Sequence, residues 1–411
     1  MKSKIIYIVT VVISVCYIFI GNYIATKDLT AFEGANESDI QKAVITEIVD
    51  RTAVQSNIEG AQYSSGVNIR FRAKFLSGEN KGTEVIGIQN SDPSMISKMK
   101  EVEQGDKILL MEYDGADPDG EAEWMMIEYV RSDALIGLTG VFFLLLLLFG
   151  RKKGVNTILS MVFTCLAIFI IYIPAILSGQ NIYLWSAITS VFIIAMTMLL
   201  INGATAKSLA AALGCASGVI ITGGLSFIMD GIIHLTGLVD EDSYYLFLLN
   251  QDNPIDLKAI VFGAIIIGAI GALMDVAMDI AASLREVASN MENPTFSSLV
   301  KSGITIGRDI IGTMANTLVL AYIGSSLSLV LLLAAYNNSM IYLLNREMVV
   351  VEILQALAGS VGILFTIPFT SVICGLLYVK SHPKIELKLP KAPEEERLLD
   401  ADAAWRTEED Q

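Results

Sequence analysis

The sequence predicts a polytopic α-helical membrane protein with about eight transmembrane helices and a small extracytoplasmic β-barrel-like domain between the first two. The 411-residue chain is 53% hydrophobic and only 17% charged, whereas an ordinary soluble domain is roughly 25% charged. Its apolar residues come in long runs: 141–150 reads VFFLLLLLFG, and 158–177 contains no charge. About 20 apolar residues cross a hydrocarbon core of roughly 30 Å, so these runs predict membrane spans.

Residues 1–27 predict an N-terminal membrane anchor helix. MKSK precedes the apolar run IIYIVTVVISVCYIFIGNYIA, which is either an anchor or the apolar part of a signal peptide. The run is long for a signal peptide, and no small-x-small cleavage site is evident. We therefore interpret it as the first span.

Residues 28–131 change character and predict a β-rich domain outside the cytoplasm. Short β-rich runs alternate with turn sequences such as SGENKG and DGADPDG. The runs cover 43–49, 67–75, 83–88, 107–113 and 123–129. Short strands between Gly- and Asp-rich turns are typical of a small antiparallel barrel.

Seven further apolar runs predict a transmembrane region over 132–380. They cover 134–150, 154–177, 182–202, 206–229, 259–282, 309–335 and 350–379. Lys and Arg are concentrated at run ends on one predicted face, for example in the cluster at 151–153. Cytoplasmic loops carry the excess of basic residues, so we predict a multi-pass protein of the cell (plasma) membrane with both termini in the cytoplasm.

The formal net charge of −15 is concentrated in the β-rich stretch and in residues 381–411, which predict a disordered, acidic cytoplasmic tail. Neither region has a basic stripe, so we expect no nucleic acid partner. The four cysteines, Cys16, Cys165, Cys215 and Cys374, lie in apolar runs and predict no disulfide. Because only two histidines are present, we expect no metal site and no cofactor.

Two aspartates stand in one of the most apolar runs, GAIGALMDVAMDIAASLREV at 268–287. Asp275 and Asp279 are four residues apart and share a helix face. A carboxylate at the bilayer centre costs roughly 2.5–3.5 kcal/mol or more, so such residues face the bundle interior and usually mark an ion pathway. We expect a proton or ion path here. The alternative is that Asp279 lies near the interface and pairs with Arg285 or Lys301.

Small and polar residues continue this pattern in the neighbouring spans. Small residues allow helices to approach closely in a membrane. The predicted packing residues are Gly268, Gly271, Ala272, Gly312, Gly359 and Gly362. Thr313, Asn316 and Thr317 are assigned either to the ion path or to interhelical hydrogen bonds, and the residues alone leave both open.

With these segments in place, the chain resembles the YibE/F-like integral membrane proteins over nearly its whole length. The segments GALMDVAMDIAASLREV and GRDIIGTMANTLVLAYIG carry the resemblance most specifically. The resemblance implies one anchor helix, an external domain and a long multi-span region.

The same two segments are more distantly similar to the SecF-type half-repeat of the resistance–nodulation–division superfamily. Gly271, Asp275, Arg285 and Glu286 match its glycine-and-aspartate helix, and residues 313–317 match its Thr/Ser-rich span. The chain has two predicted spans more than that half-repeat and a smaller external domain than drug-efflux members. Because only one half is present, the similarity implies a partner subunit or a homo-oligomer.

The leading hypothesis is a proton-coupled membrane transporter or translocation factor, not an enzyme, with Asp275 as proton carrier and Asp279 assisting. The alternative is a non-catalytic assembly or accessory protein whose external β domain binds a partner. An intramembrane aspartyl protease needs two aspartates that face each other across a cleft, whereas these two lie on one helix. The sequence contains no phosphate-binding Gly-rich loop with Lys-Ser/Thr, which argues against ATP hydrolysis.

Overall fold

The computed structural model describes residues 2–27, 40–55, 65–78, 80–90, 100–112, 123–249, 254–335 and 339–381. Contacts divide the chain into two units, Thr30–Val155 and Met1–Leu29 with Asn156–Gln411. The predicted acidic tail lies outside the described residues, apart from its first residue.

The unit Thr30–Val155 contains a closed barrel of five strands. They are β1 (Ile40–Gln55), β2 (Ser65–Phe75), β3 (Glu84–Asn90), β4 (Lys107–Glu112) and β5 (Trp124–Tyr129). Neighbours follow the order β1-β2-β3-β5-β4, and β1 closes the barrel against β4. The β3–β5 pair is parallel and the other four are antiparallel. The expected barrel is therefore confirmed, but the wholly antiparallel pairing is wrong, since an odd number of strands cannot alternate direction around a closed ring.

Strand β1 is longer than the predicted run 43–49 because it pairs with two neighbours. Its start pairs with β4 and nearly its whole length pairs with β2. Register shifts at Ile45/Glu47 and Ile48/Asp50 interrupt the β1–β2 ladder, and such bulges bend a strand around a barrel. Ile45 of β1 and Ile69, Phe71 and Phe75 of β2 are buried in the barrel core.

Every apolar run that the sequence assigns to the membrane is helical. The helices are α1 (Lys2–Ala25), α2 (Ser132–Leu166), α3 (Ile173–Leu177), α4 (Ile182–Asn202), α5 (Ala206–Ile233), α6 (Glu241–Leu249), α7 (Leu257–Asn290), α8 (Phe296–Ser325), α9 (Leu327–Ala335), α10 (Met340–Leu344) and α11 (Glu347–Ser381). A π-helical segment, Ala167–Tyr172, joins α2 to α3.

Within the described residues, six helical segments are long and apolar enough to cross a membrane. They are Ile5–Ala25, Ser132–Leu177, Ile182–Asn202, Ala206–Ile233, Leu257–Asn290 and Glu347–Val379. The predicted spans 134–150 and 154–177 form one segment of 46 residues, interrupted at Arg151 (φ 47°, ψ −124°). The predicted span 309–335 is not among the six, and it is broken at Ser326 between α8 and α9. The count of eight spans stays a prediction.

Candidate functional site

Helix α7 carries the two intramembrane aspartates, and a side chain caps its first turn. The Asp256 carboxylate accepts a hydrogen bond from the Ala259 amide at 3.2 Å, which satisfies one of the free amides at a helix start. The helix then runs for 34 residues to Asn290. α5 and α11 make the most extensive contacts with α7, and α4 and α8 make smaller ones.

Helices α5 and α11 cross closely through small residues. Gly218 of α5 lies against the Thr366 hydroxyl of α11, and Gly362 of α11 lies against the Thr222 hydroxyl of α5. Neither glycine leaves room for a Cβ. Such close backbone approach is how membrane helices gain packing energy, because lipid supplies no hydrophobic drive between them.

Leu273 fixes the rotation of α7 against this crossing. Its Cδ2 atom lies 3.1 Å from the position of a Cβ at Gly218 and 3.2 Å from that at Gly362. The Leu273 side chain is completely buried. Side chains two residues apart on a helix point about 200° apart. The inward position of Leu273 therefore directs Asp275 away from α5 and α11.

The aspartates lie on an exposed stripe of α7, which we define as Gly268, Gly271, Asp275 and Asp279. Ala272 lies beside the stripe and is half-buried. The sequence predicted that this face points into the bundle interior. The structure places Gly271, Asp275 and Asp279 instead on an exposed side of α7, while Gly268 lies beside α8 and α11.

Among the described residues, neither the Asp275 nor the Asp279 carboxylate has a hydrogen-bond donor or a basic ion-pair partner. No described side chain or backbone group donates a hydrogen bond to either carboxylate, and neither Arg285 nor Lys301 forms an ion pair with Asp279. Asp275 lies within electrostatic range of Asp279 and of the Cys215 thiol on α5. Two carboxylates on one face thus interact mainly with each other.

The polar residues of α8 lie on its exposed face. Thr313 donates to the Ile310 carbonyl at 2.9 Å, and Thr317 donates to the Thr313 carbonyl at 2.8 Å. Asn316 is exposed. Leu318, two residues further on, contacts α11, so Asn316 points about 200° away from that contact. Among the described residues, no hydrogen bond joins this set to the aspartates, and its role in an ion path stays a prediction.

The predicted packing glycines fall into two groups. A Cβ at Gly359 would lie 2.9 Å from Leu318, and one at Gly268 would lie 3.1 Å from the Tyr322 hydroxyl. Gly362 belongs to the crossing described above. At Gly271 and Gly312 no heavy atom comes within 4 Å of a Cβ position, so these two glycines border open space.

Sequence reasoning missed the small residues of α5. Gly214, Gly218 and Thr222 recur every four residues and face α11. This spacing is the small-xxx-small pattern of packed membrane helices, so the signal was present in the sequence. Because α5 contains no charge after Lys207 until Asp230, nothing else in the sequence drew attention to it.

Sequence reasoning also missed a cavity of about 490 Å³ beside Gly271. It lies between the end of α2, α4 and α7, and Thr157, Ser160 and Thr164 line its α2 side. The Ser160 hydroxyl donates to Thr197 of α4 at 2.9 Å. The remaining lining is mostly Ile and Met side chains, so the cavity is largely apolar.

The two neighbouring carboxylates of α7 suit proton or cation chemistry. Within the described residues, no group of three or more His, Cys, Asp or Glu side chains could hold a metal ion. All four cysteines are free. Two adjacent carboxylates can bind and release a proton, or accept hydrogen bonds from a ligand.

Long apolar helices around a carboxylate-bearing helix define a multi-pass membrane protein. A family model described as YibE/F-like protein matches residues 138–380, more than half of the chain. The chain therefore belongs to the YibE/F-like family, as its sequence resemblance indicated. Comparisons with curated proteins and with solved structures each find no match.

Proposed function

We propose that the protein is a proton-coupled membrane transporter or translocation factor in which Asp275 carries the proton and Asp279 assists it. The observation that supports this proposal most strongly is the uncompensated pair of carboxylates on the exposed stripe of α7. In this proposal the protein is not an enzyme and takes no cofactor.

The position of Asp275 along α7 makes a purely structural role expensive. Asp275 is 18 residues from Leu257 and 15 from Asn290, so it lies about 27 Å and 22 Å from the helix ends at 1.5 Å per residue. Within its apolar run, 259–282, Asp275 is about 24 Å from the first residue and about 10 Å from the last, so a span places its carboxylate inside the hydrocarbon core. A carboxylate there needs water or another protein group, because lipid cannot solvate its charge.

The same environment supplies a coupling mechanism. When the stripe is sealed from water, the neutral form of a carboxylate is favoured, and the neighbouring Asp279 disfavours a second negative charge. When an aqueous path opens, Asp275 ionises and releases its proton. Alternation between these two states links one proton to one conformational change.

The proposal includes a topology and a partner. Eight spans with both termini in the cytoplasm place the β barrel outside the plasma membrane, following the excess of basic residues on the inner side. An exposed carboxylate stripe in lipid also favours a partner subunit or a second copy of the chain that covers it. Lipid surrounds the remaining apolar helix faces, and no nucleic acid is involved.

Proton uptake by proteoliposomes under an imposed membrane potential tests the proposal. Asp275→Asn removes the titratable group with little change in shape, and we expect it to reduce uptake by at least about 100-fold, as for loss of a proton-transfer group. Asp279→Asn is expected to have a milder effect, because it removes only the assisting charge.

The matched control is Asp309→Asn, which removes an exposed carboxylate from the adjacent helix α8. It should retain uptake close to that of the unmodified protein. Full uptake by Asp275→Asn would contradict the proton-carrier role. That result would favour an accessory protein in which the β barrel binds a partner.

A further inference from the structure

A second, smaller cavity lies near the start of α7. Its nearest lining residue on α7, Ala264, is 11 residues, or about three helical turns, before Asp275. The cavity has a volume of about 160 Å³. The loop that follows α5, helix α6, the first turns of α7 and the start of α11 surround it. Its lining includes Asp240, Ser243, Ala264 and Gln355. A cavity of this size has room for water molecules, and Asp240, Ser243 and Gln355 supply polar partners for them.

The rim of this cavity is negatively charged. The Asp240 carboxylate accepts hydrogen bonds from the Ser243 amide at 2.8 Å and from the Ser243 hydroxyl at 2.6 Å. These bonds hold the pKa of Asp240 below its usual range, so it is ionised at neutral pH. Glu241 and Asp242 follow directly and are exposed. A negative rim raises the local concentration of protons and other cations.

The rim is also tied to α11. The Glu347 carboxylate accepts hydrogen bonds from the Thr236 amide at 2.7 Å, the Gly237 amide at 2.6 Å and the Thr236 hydroxyl at 2.7 Å. Three bonds to one carboxylate hold the loop after α5 against the first turn of α11. The cavity is therefore bounded by ordered backbone.

Gln355 lines the cavity, and Tyr322 of α8 lies beside it at Gly268 of the exposed stripe. The Gln355 amide nitrogen and the Tyr322 hydroxyl lie 3.3 Å and 3.1 Å from the Cβ position at Gly268. Glu352 on α11 is half-buried and lies within electrostatic range of Tyr322. From Gly268 to Asp275 is seven residues, or about 10 Å along the helix. Gly271 leaves open space on the way.

We propose that this cavity is the aqueous entrance through which protons reach Asp275, with Gln355 and Tyr322 as the polar groups at its inner end. A proton enters on cavity water and passes along hydrogen bonds to the Asp275 carboxylate, which becomes neutral. The reverse transfer releases it. This inference rests on the proposed function and assigns the route by which that site is loaded.

Cysteine accessibility in lipid nanodiscs tests the entrance without any transport assay. The background carries Cys16→Ser and Cys165→Ser, because these two thiols are exposed and Cys215 and Cys374 are buried. Ala264→Cys places a thiol in the cavity lining, and the control Ile220→Cys places one on an apolar, 71% exposed position of α5. A positively charged methanethiosulfonate reacts with hydrated thiolate, so we expect Ala264→Cys to react at least about tenfold faster.

A second measurement connects the entrance to the carrier. Blocking Ala264→Cys with the same reagent should lower proton uptake by proteoliposomes toward the level of Asp275→Asn. Equal, slow reaction of the two cysteines would overturn the entrance even if Asp275→Asn abolishes uptake. Complete labelling with unchanged uptake would overturn it as well. Full uptake by Asp275→Asn would instead overturn the proposed function, and with it the role given to the cavity.

Discussion

The barrel core and the α5–α11 crossing of the helical unit are packed in opposite ways. The barrel buries large side chains, and Phe71, Phe75, Ile69 and Leu110 are at most 2% exposed. The helical unit brings α5 and α11 together through glycine and threonine, with no space for a Cβ at Gly218. Water drives large apolar groups into a core, whereas lipid gives helices no such drive and leaves packing and hydrogen bonds to hold them together.

The two units also differ in whether their carboxylates are paired with basic side chains. On the barrel, Glu47 pairs with Arg72 at 3.3 Å and Asp50 pairs with Arg70 at 3.4 Å. On α7, the carboxylates have no basic partner among the described residues. Paired, exposed carboxylates contribute little to stability. An unpaired carboxylate within a membrane helix costs several kcal/mol by most scales, which is why we assign it a function.

The largest expected effect is the loss of a large core side chain from the barrel. Residues 30–130, expressed alone, should fold as a soluble β-rich domain, because the barrel is closed and has its own core. Phe71→Ala leaves a cavity there and should lower the free energy of unfolding by about 3–5 kcal/mol. Urea denaturation followed by far-UV circular dichroism measures this change.

Val49→Ala is the matched control, because Val49 lies on β1 and is 48% exposed. It should cost less than about 1 kcal/mol. A domain that tolerates Phe71→Ala as well as Val49→Ala would lack the large-residue core on which the comparison depends.

The second expected effect is the reverse change, an added methyl group at the α5–α11 crossing. Gly218→Ala places a Cβ against the Thr366 hydroxyl, and such overpacking typically costs about 1–3 kcal/mol. Gly224→Ala, on the same helix, meets open space and should be neutral or slightly stabilising, because glycine disfavours helices. Thermal unfolding in detergent, followed by tryptophan fluorescence, distinguishes them. Equal melting temperatures would show that the crossing is looser than described.

Much of the fold could be predicted because both units obey simple periodicities. Alternating residues in 67–75 predicted β2, and the apolar run 259–282 predicted α7. The interruption at Arg151 and the parallel β3–β5 pair could not be predicted in this way. The first depends on a single backbone conformation, and the second on closure of the whole ring.

At the candidate site, the sequence predicted which residues lie in the membrane but not which way they face. Asp275 and Asp279 were identified from their apolar surroundings, which give a residue's depth in the membrane. Hydropathy does not give the rotation of a helix about its axis. That rotation is set by contacts such as Leu273 with the α5–α11 crossing and Leu318 with Gly359. For this reason the polar residues of α8, expected beside Asp275, lie on an exposed face.

The smallest expected effect concerns a paired carboxylate of the barrel, Asp50. The Thr52 hydroxyl donates to its Oδ2 atom at 2.9 Å, and Arg70 donates to the same atom at 3.4 Å. These bonds, the Thr52 bond first, lower the pKa of Asp50 in the folded state. Its contribution to stability is therefore present above the unfolded-state pKa of about 3.9 and is lost as the pH falls through the lower folded-state value.

Thr52→Ala removes the hydrogen bond that lowers the pKa of Asp50 most, so this pKa should rise toward its usual value. The contribution of Asp50 to the stability of the barrel is then lost at a higher pH than in the unmodified domain. Thr46→Ala is the control, because the Thr46 hydroxyl donates to the Arg72 backbone carbonyl and not to the Asp50 carboxylate. Carboxyl NMR shifts of the isolated domain, titrated from about pH 6 to pH 2, report the midpoint directly. The effect on unfolding should be slight because Asp50 is exposed and screened by water.

An Asp50 midpoint that does not move in Thr52→Ala would mean that Arg70 or the local backbone holds the charge. The barrel surface would then depend on ion pairs more than the hydroxyl geometry indicates.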